Sequence, residues 1–340
     1  MTTRTGTRHV QPMLAKLADL PDDEDHWAFE VKWDGIRAVA FIEEDGLRLE
    51  TRNLNDVTLQ YPDLATLPAG LRRHLAILDG EIIALDELGR PSFQQLQSRM
   101  GLSSMATIQT RSKATPVQYM AFDLLELDGR DLRAEPYLER RRLLRALFKD
   151  TARWKVPSHH VGEGQALLDA IVAQGMEGVV AKRIDSPYRE KQRGGDWRKI
   201  KLQQRQEFVI GGWTEGEGRR SGGIGSLLLG YHDEAGKLRF AGGVGTGFSD
   251  RFLVELGALL QPLERDETPF EVGLPGKDKP LGKWQAMRGR TNPSAVHFSE
   301  PRLVCEVEFT EFTRDGTLRH PSFQGLRDDK DPREVVREDA

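Results

Sequence analysis

Through the first two hundred residues, short runs of alternating apolar and polar side chains recur between Asp-Gly pairs. This rhythm restricts the chain to a sheet of largely antiparallel neighbours. The runs are Phe29 to Ile42, Leu47 to Thr51, Leu75 to Leu85, Val117 to Leu127 and Gly178 to Ile184, with turns predicted at Asp34, Asp45, Asp79 and Asp128. Two stretches between them have helical spacing. Glu135 to Phe148 opens near Pro136 and carries Leu138, Leu143, Leu144 and Leu147 on one stripe, and Gln165 to Gln174 is amphipathic before Gly175. Antiparallel sheet with flanking helices is an α+β class.

After Gln203-Gln204-Arg205-Gln206 the composition shifts and glycines crowd, from Gly211-Gly212 through Gly218 to Gly247. Strands are predicted at Phe208 to Gly211, Ser226 to Tyr231, Leu238 to Val244 and Leu303 to Phe312. Ser249 caps a helix running to about Leu263, with Phe252, Leu253, Leu256, Leu259 and Leu260 inward. Four or five strands and one helix suit a small Greek-key barrel of the oligonucleotide-binding (OB) type, and strand count alone leaves an SH3-like barrel open. A chain of 340 residues, 38% hydrophobic, has room for two ordinary cores. The predicted division is 1–203 and 204–340, with Asp266 to Pro301 an ordered excursion between barrel strands.

Cys305 is the only cysteine, so a disulfide within the chain and a cysteine-rich zinc site are both excluded, and its Val304-Cys305-Glu306-Val307 setting predicts a buried strand residue. No apolar run is long enough to span a bilayer, and the segment from Met1 to His9 lacks the hydrophobic stretch of a secretory signal. The expectation is a cytosolic, monomeric protein with no membrane partner. Net charge is −4, yet Arg183 to Arg220 holds ten basic residues, Arg219 among them, against six acidic ones, a local net of +4. A solvated hinge and a track for phosphates both fit that stretch.

One lysine stands out by its placement. In Glu30-Val31-Lys32-Trp33-Asp34-Gly35-Ile36-Arg37 the alternation sends Phe29 and Val31 into a core and leaves Glu30 and Lys32 together on the other face. An ion pair with Asp34 is the simple reading of Lys32. The alternative is a nucleophile, which requires a neutral amine, and nearby positive charge from Lys199 and Lys201 would favour that form.

Lys32-Trp33-Asp34-Gly35 resembles the nucleophile motif of covalent nucleotidyltransferases, the ATP-dependent polynucleotide ligases and GTP-dependent mRNA capping enzymes. Further segments resemble that family's motifs in family order: Thr51-Arg52-Asn53, Asp79-Gly80-Glu81, Met120-Ala121-Phe122-Asp123-Leu124-Leu125 and Glu177-Gly178-Val179-Val180-Ala181-Lys182. Trp197-Arg198-Lys199-Ile200-Lys201 and the closing Arg327-Asp328-Asp329-Lys330 complete the series across about the whole chain. The likeness is to bacterial ATP-dependent DNA ligases, particularly the ligase module of end-joining ligases. Leu54 departs from it, because that subgroup often has glycine after Arg-Asn.

The resemblance implies a nucleotidyltransferase domain followed by an OB domain, and it implies roles. Lys32 would attack ATP and carry AMP, Phe122 would stack on the purine with Glu30 near its exocyclic amine, and Glu81 would contact the ribose. Arg37 and Arg52 would meet ribose or the nucleic-acid end, Arg193 the phosphates, and Lys199 and Lys201 the α-phosphate. Glu177, together with Glu81, would hold Mg²⁺ or Mn²⁺, and Arg327, Asp329 and Lys330 would orient pyrophosphate. The implied substrate is nicked or broken duplex DNA. The implied partners are bacterial Ku and an end-joining polymerase, since 340 residues suit a small stand-alone ligase or a module of a larger enzyme. RNA sealing, GTP-dependent capping and non-catalytic nucleic-acid binding are the rival functions.

Overall fold

The structure is a computed structural model describing residues 8–71, 74–174, 176–202, 204–216, 220, 222–273 and 296–338. Gly175, Gly218, Arg219 and the centre of the Asp266 to Pro301 excursion lie outside the described residues. The chain forms two compact units, Met1–Leu202 and Gln203–Asp339.

The first unit holds eleven strands among its described residues: β1 (Leu14–Leu17), β2 (Trp27–Val31), β3 (Ile36–Glu43), β4 (Gly46–Thr51), β5 (Ala76–Ala84), β6 (Val117–Leu127), β7 (Arg130–Asp131), β8 (Trp154–Lys155), β9 (His160–Val161), β10 (Gly178–Arg183) and β11 (Arg193–Lys201). Its helices are α1 (Leu67–Gly70), α2 (Phe93–Gln97), α3 (Met105–Ala114), α4 (Tyr137–Leu147) and α5 (Gly164–Gln174). One sheet runs β1-β11-β10-β2-β9 and the other β4-β3-β5-β6-β7, with β8 joining β6. Only β1 with β11 and β8 with β6 pair in parallel among these strands.

Strand β3 is apolar on both faces because it is covered on both. Ile36, Ala38, Ala40 and Ile42 enter one core with Leu78, Tyr119 and Leu144. Val39 and Phe41 enter another with Phe122, Tyr188 and Trp197, the last contributed by the other sheet, so this core lies between the sheets. Beyond the first sheet, Phe29, Val179, Ala181 and Ile200 pack with Ile171 of α5. Helix α5 is held at its N-terminus by the Glu24 carboxylate, which accepts from the Gly164 and Gln165 amides at 2.8 and 3.2 Å.

Two local features differ from expectation. Asp79-Gly80 is no turn; it lies inside β5. A side chain at Gly80 would place Cβ 2.4 Å from the Tyr119 ring and 2.8 Å from the Met120 carbonyl oxygen, so the glycine serves close strand packing. On β6, Asp79 faces Asp123 while Gly80 faces Ala121, which leaves Phe122 as the extra residue of a bulge. Alternation from Val117, Tyr119 and Ala121 sends Phe122 into the inter-sheet core, and the bulge returns Leu124 to the side of Ala121. At Leu54 the backbone is left-handed, φ 63°, closing a turn in which its amide donates to Thr51 O at 2.9 Å. The left-handed geometry that glycine adopts without strain is adopted here by leucine.

The second unit comprises β12 (Gln204–Glu215), β13 (Ile224–His232), β14 (Leu238–Val244), α6 (Asp250–Leu260), β15 (Glu264–Arg265), β16 (Val296–Phe309), β17 (Glu311–Phe312), β18 (Leu318–Arg319) and β19 (Ser322–Leu326). Its main sheet runs β14-β13-β12-β16-β15, with β19 also on β16, all antiparallel. Strands β12 and β16 shift register together near Gly212, where an added Cβ would lie 2.3 Å from the His297 carbonyl oxygen. Such shifts bend long strands and curl the sheet, giving the barrel-type architecture of an OB fold. Cys305 is fully buried in β16, as its setting predicts. Ser249 caps α6 by accepting from the Phe252 amide, and Leu253, Leu256 and Leu260 are buried. Leu259 is exposed instead of inward, because it sits about a quarter turn off that stripe. No helix among the described residues is long and apolar enough to cross a membrane.

Candidate active site

Sheet register builds the site. Across β2, β10 and β11, Glu30 lies beside Val180 and Val180 beside Lys199, while Ala28 lies beside Lys182 and Lys182 beside Trp197. One step further, the Lys32 amide donates to Gly178 O at 2.9 Å, and Gly178 pairs with Lys201. Alternation then assigns the faces. Phe29, Val179, Ala181 and Ile200 are packed on one side, so Glu30, Lys182, Lys199 and Lys201 share the other, with Lys32 continuing that row. A Cβ at Gly178 would lie 2.1 Å from the Ile200 carbonyl oxygen, so glycine is what allows β10 to reach β11 beside Lys32.

The Lys32 ammonium meets Glu177 Oε2 at 2.5 Å. Glu177 follows α5 but its side chain is 5% exposed, turned inward instead of ending the helix at the surface, while Lys32 keeps 22% exposure. Nucleophile candidate and metal candidate are therefore in contact.

Glu30 sits at the other end of the row, buried, and faces donors. Lys182 Nζ donates to Oε2 at 2.7 Å, the Tyr137 hydroxyl donates to Oε1, and Arg141 Nε lies 3.4 Å from Oε1. Burial alone would raise the Glu30 carboxyl; the charges of Lys182 and Arg141 hold it below the ordinary carboxylate range. Burial likewise lowers Lys182, partly offset by Glu30. The Lys182 ammonium lies 4.2 Å from the Phe122 ring centre and 4.3 Å from that of Trp197.

The opposing sheet brings Arg37, Glu81 and Phe122. Arg37 and Glu81 pair in register across β3 and β5. Arg37 donates through Nε to Asp79 at 2.9 Å and through Nη2 to its other oxygen, and Tyr188 donates to the same carboxylate at 2.6 Å. The Arg37 guanidinium also lies 5.4 Å from the centres of both the Phe122 and Trp197 rings, and although burial opposes its charge, Asp79 holds it protonated. Arg52 stands on the turn after β4. Arg193 opens β11 at an exposed position beside Leu14, six residues or roughly 20 Å along the strand from Lys199.

In the second unit Arg327 and Asp329 are nearly buried, 8% and 5% exposed, and pair bidentately at 2.8 and 2.9 Å. Glu306 lies 3.5 Å from both Arg327 and Arg205, and Lys330 meets Glu207 at 2.7 Å. Burial opposes the Asp329 charge, yet Arg327 holds its carboxyl below the usual range.

Sequence reasoning passed over the supports of this site: Tyr137, Arg141 and Lys182 around Glu30, Asp79 and Tyr188 around Arg37, and Trp197. The α4 stripe of leucines hid that Arg140 and Arg141 point inward; Arg140 is fully buried against Asp123, at 2.7 and 2.9 Å. Lys182 had a usable signal, since it continues the alternation of Val180 on the face that Glu30 occupies.

Residues 12–201 match the family described as ATP dependent DNA ligase domain, and residues 220–330 the ATP dependent DNA ligase C terminal region. The chain belongs to the ATP-dependent DNA ligases. It is 42% identical over 333 residues to the multifunctional non-homologous end joining DNA repair protein LigD of Mycobacterium tuberculosis, covering 97% of this chain and 40% of that protein. It is 31% identical over 346 residues to a DNA ligase of Thermococcus fumicolans, covering 96% and 57%. A solved mycobacterial DNA ligase D complexed with ATP and MES is 40% identical and superposes with a TM-score of 0.65, covering 97% of this chain and 98% of that one. This ligase thus spans about two fifths of the LigD it matches.

Proposed function

We propose that this chain seals 5′-phosphate/3′-hydroxyl breaks in duplex DNA with ATP, through a covalent lysyl-AMP on Lys32. The observation that carries the reading is the single sheet face on which Lys32, Lys199 and Lys201 are aligned with Glu177 in contact with the nucleophile. In the first step the Lys32 nitrogen bonds to the α-phosphorus of ATP as the bond to pyrophosphate breaks, and the amine proton departs. Glu177 is the carboxylate in reach of that proton. Lys199 and Lys201 offset charge on the phosphoryl oxygens, and the fixed rows keep amine and phosphate aligned. Phe122 supports the purine, Glu30 reads its exocyclic amine, and Glu81, with Arg37 and Arg52, contacts the ribose or the DNA end; Arg193 meets backbone phosphate. Arg327, Asp329 and Lys330 steer pyrophosphate. AMP then passes to the 5′-phosphate, and attack by the 3′-hydroxyl seals the strand and releases AMP.

Among the described residues no three carboxylate, histidine or cysteine side chains cluster as a metal cage. That donor set fits Mg²⁺ or Mn²⁺ held by one or two carboxylates, Glu177 and Glu81, together with substrate phosphates and water. Such an ion would supply positive charge for the phosphates.

The LigD likeness supports a role in end joining, with bacterial Ku and an end-joining polymerase as partners, whether the chain acts alone or within a longer protein. The test is sealing of a nicked duplex with ATP or GTP and with a deoxy or ribo 3′-side strand. Sealing of the all-DNA nick with ATP is expected. Preference for GTP or for an RNA strand would overturn the reading, and failure of Ku to stimulate joining of linear ends would remove the end-joining role.

A further inference from the structure

The donors around Glu30 come from two separate elements and serve no step in the reaction above. Tyr137 and Arg141 stand four residues apart on α4 and so share a helix face. Lys182 approaches from β10, on the row next to that of Glu30. Each donor is tied elsewhere. Arg141 donates to the carbonyl oxygens of Pro157 and Ala121, the latter next to Phe122, and Arg140 locks α4 to Asp123. Lys182 is gripped by the Phe122 and Trp197 rings. The Glu30 carboxylate is thereby fixed by the same framework that fixes Phe122.

The Lys182 ammonium and the Arg141 guanidinium can only donate, and their two positive charges beside one carboxylate favour its ionised form, whose remaining lone pairs can only accept. We propose that Tyr137, Arg141 and Lys182 are positioning residues for base selection, holding Glu30 as a fixed acceptor that takes adenine's exocyclic amine and refuses guanine's carbonyl oxygen at the same place. The proposal rests on the reading that Glu30 faces the purine. With guanine, a second oxygen acceptor would face the carboxylate in a buried setting and stay unpaired, a mismatch that rejects by roughly tenfold to a hundredfold. A carboxylate free to rotate or to take up a proton would lose that discrimination.

The experiment measures lysyl-nucleotide formation with ATP and with GTP for Tyr137→Phe, Lys182→Met and Glu30→Gln, alongside each variant's melting temperature. Tyr137→Phe removes only a hydroxyl and is the variant least able to disturb folding. Expected is a rise in KM for ATP larger than the fall in kcat, with the ATP:GTP preference lowered by roughly tenfold in Tyr137→Phe and Lys182→Met. Glu30→Gln, whose amide can donate to guanine, shifts the preference furthest. If the two positioning variants keep the wild-type preference while Glu30→Gln changes it, the proposal fails and the role of Glu30 stands. If Glu30→Gln also keeps that preference, Glu30 does not read the base and both ideas fall.

Discussion

Each unit gathers charged side chains, and the two groups differ in exposure. In the second unit Arg205, Arg327 and Lys330 meet Glu207, Glu306 and Asp329, and the Arg327–Asp329 pair is only 8% and 5% exposed. On the site face of the first unit, Lys32, Lys182, Lys199 and Lys201 share a surface with Glu30 and Glu177, and Lys32 keeps 22% exposure. A buried ion-pair cluster holds a fold in one geometry. A row of lysines around a partly exposed amine is a place that an anionic ligand such as a polyphosphate can reach.

The contrast is broken most directly at Lys32. Lys32→Ala should lower nucleotide transfer by roughly 10⁴-fold or more, as loss of the proposed covalent nucleophile would. A variant that retained transfer would end the distinction between the units. At the second unit's cluster the effect should appear in stability as well as in the pyrophosphate step proposed for it. Arg327→Met strands Asp329 and should cost about 3–5 kcal/mol in denaturant unfolding of the second unit. The pH dependence sharpens this. Asp329 has its carboxyl lowered in the folded state, so the stability it lends is complete above the unfolded carboxylate range, near ~4, and is lost as pH falls through the lower folded value. In Arg327→Met that carboxyl protonates more readily, and the gap to wild type should narrow below about pH 4. A gap that widens in acid would contradict the pairing.

Lys199→Ala removes one cation from the site face and should lower transfer by roughly a hundredfold. The smallest effect lies outside both clusters. Leu54→Gly relieves a left-handed leucine, φ 63°, but loosens the unfolded chain, for a net gain of about 0.5 kcal/mol in thermal unfolding.

Strands governed by simple alternation were legible: β6 and β14 occupy the predicted residues, and Lys199 and Lys201 flank a buried Ile200 as their spacing requires. What escaped depends on contacts made across long separations. The bulge that returns Leu124 to the side of Ala121 arises from the register of β6 against β5, and no residue of β6 announces it. Asp79-Gly80 has the composition of a turn, and only the Tyr119 ring packed over Gly80 explains it within a strand. Arginines are normally solvated, and nothing in the local sequence of α4 shows that Asp123 and Glu30, from distant strands, receive Arg140 and Arg141.

The most direct measurement is mass spectrometry of the intact chain after incubation with ATP and a divalent cation, followed by peptide mapping. The account predicts a mass increase equal to one AMP, labile in acid and located on the peptide containing Lys32. Absence of an adduct, or an adduct on another lysine such as Lys182 or Lys199, would contradict it.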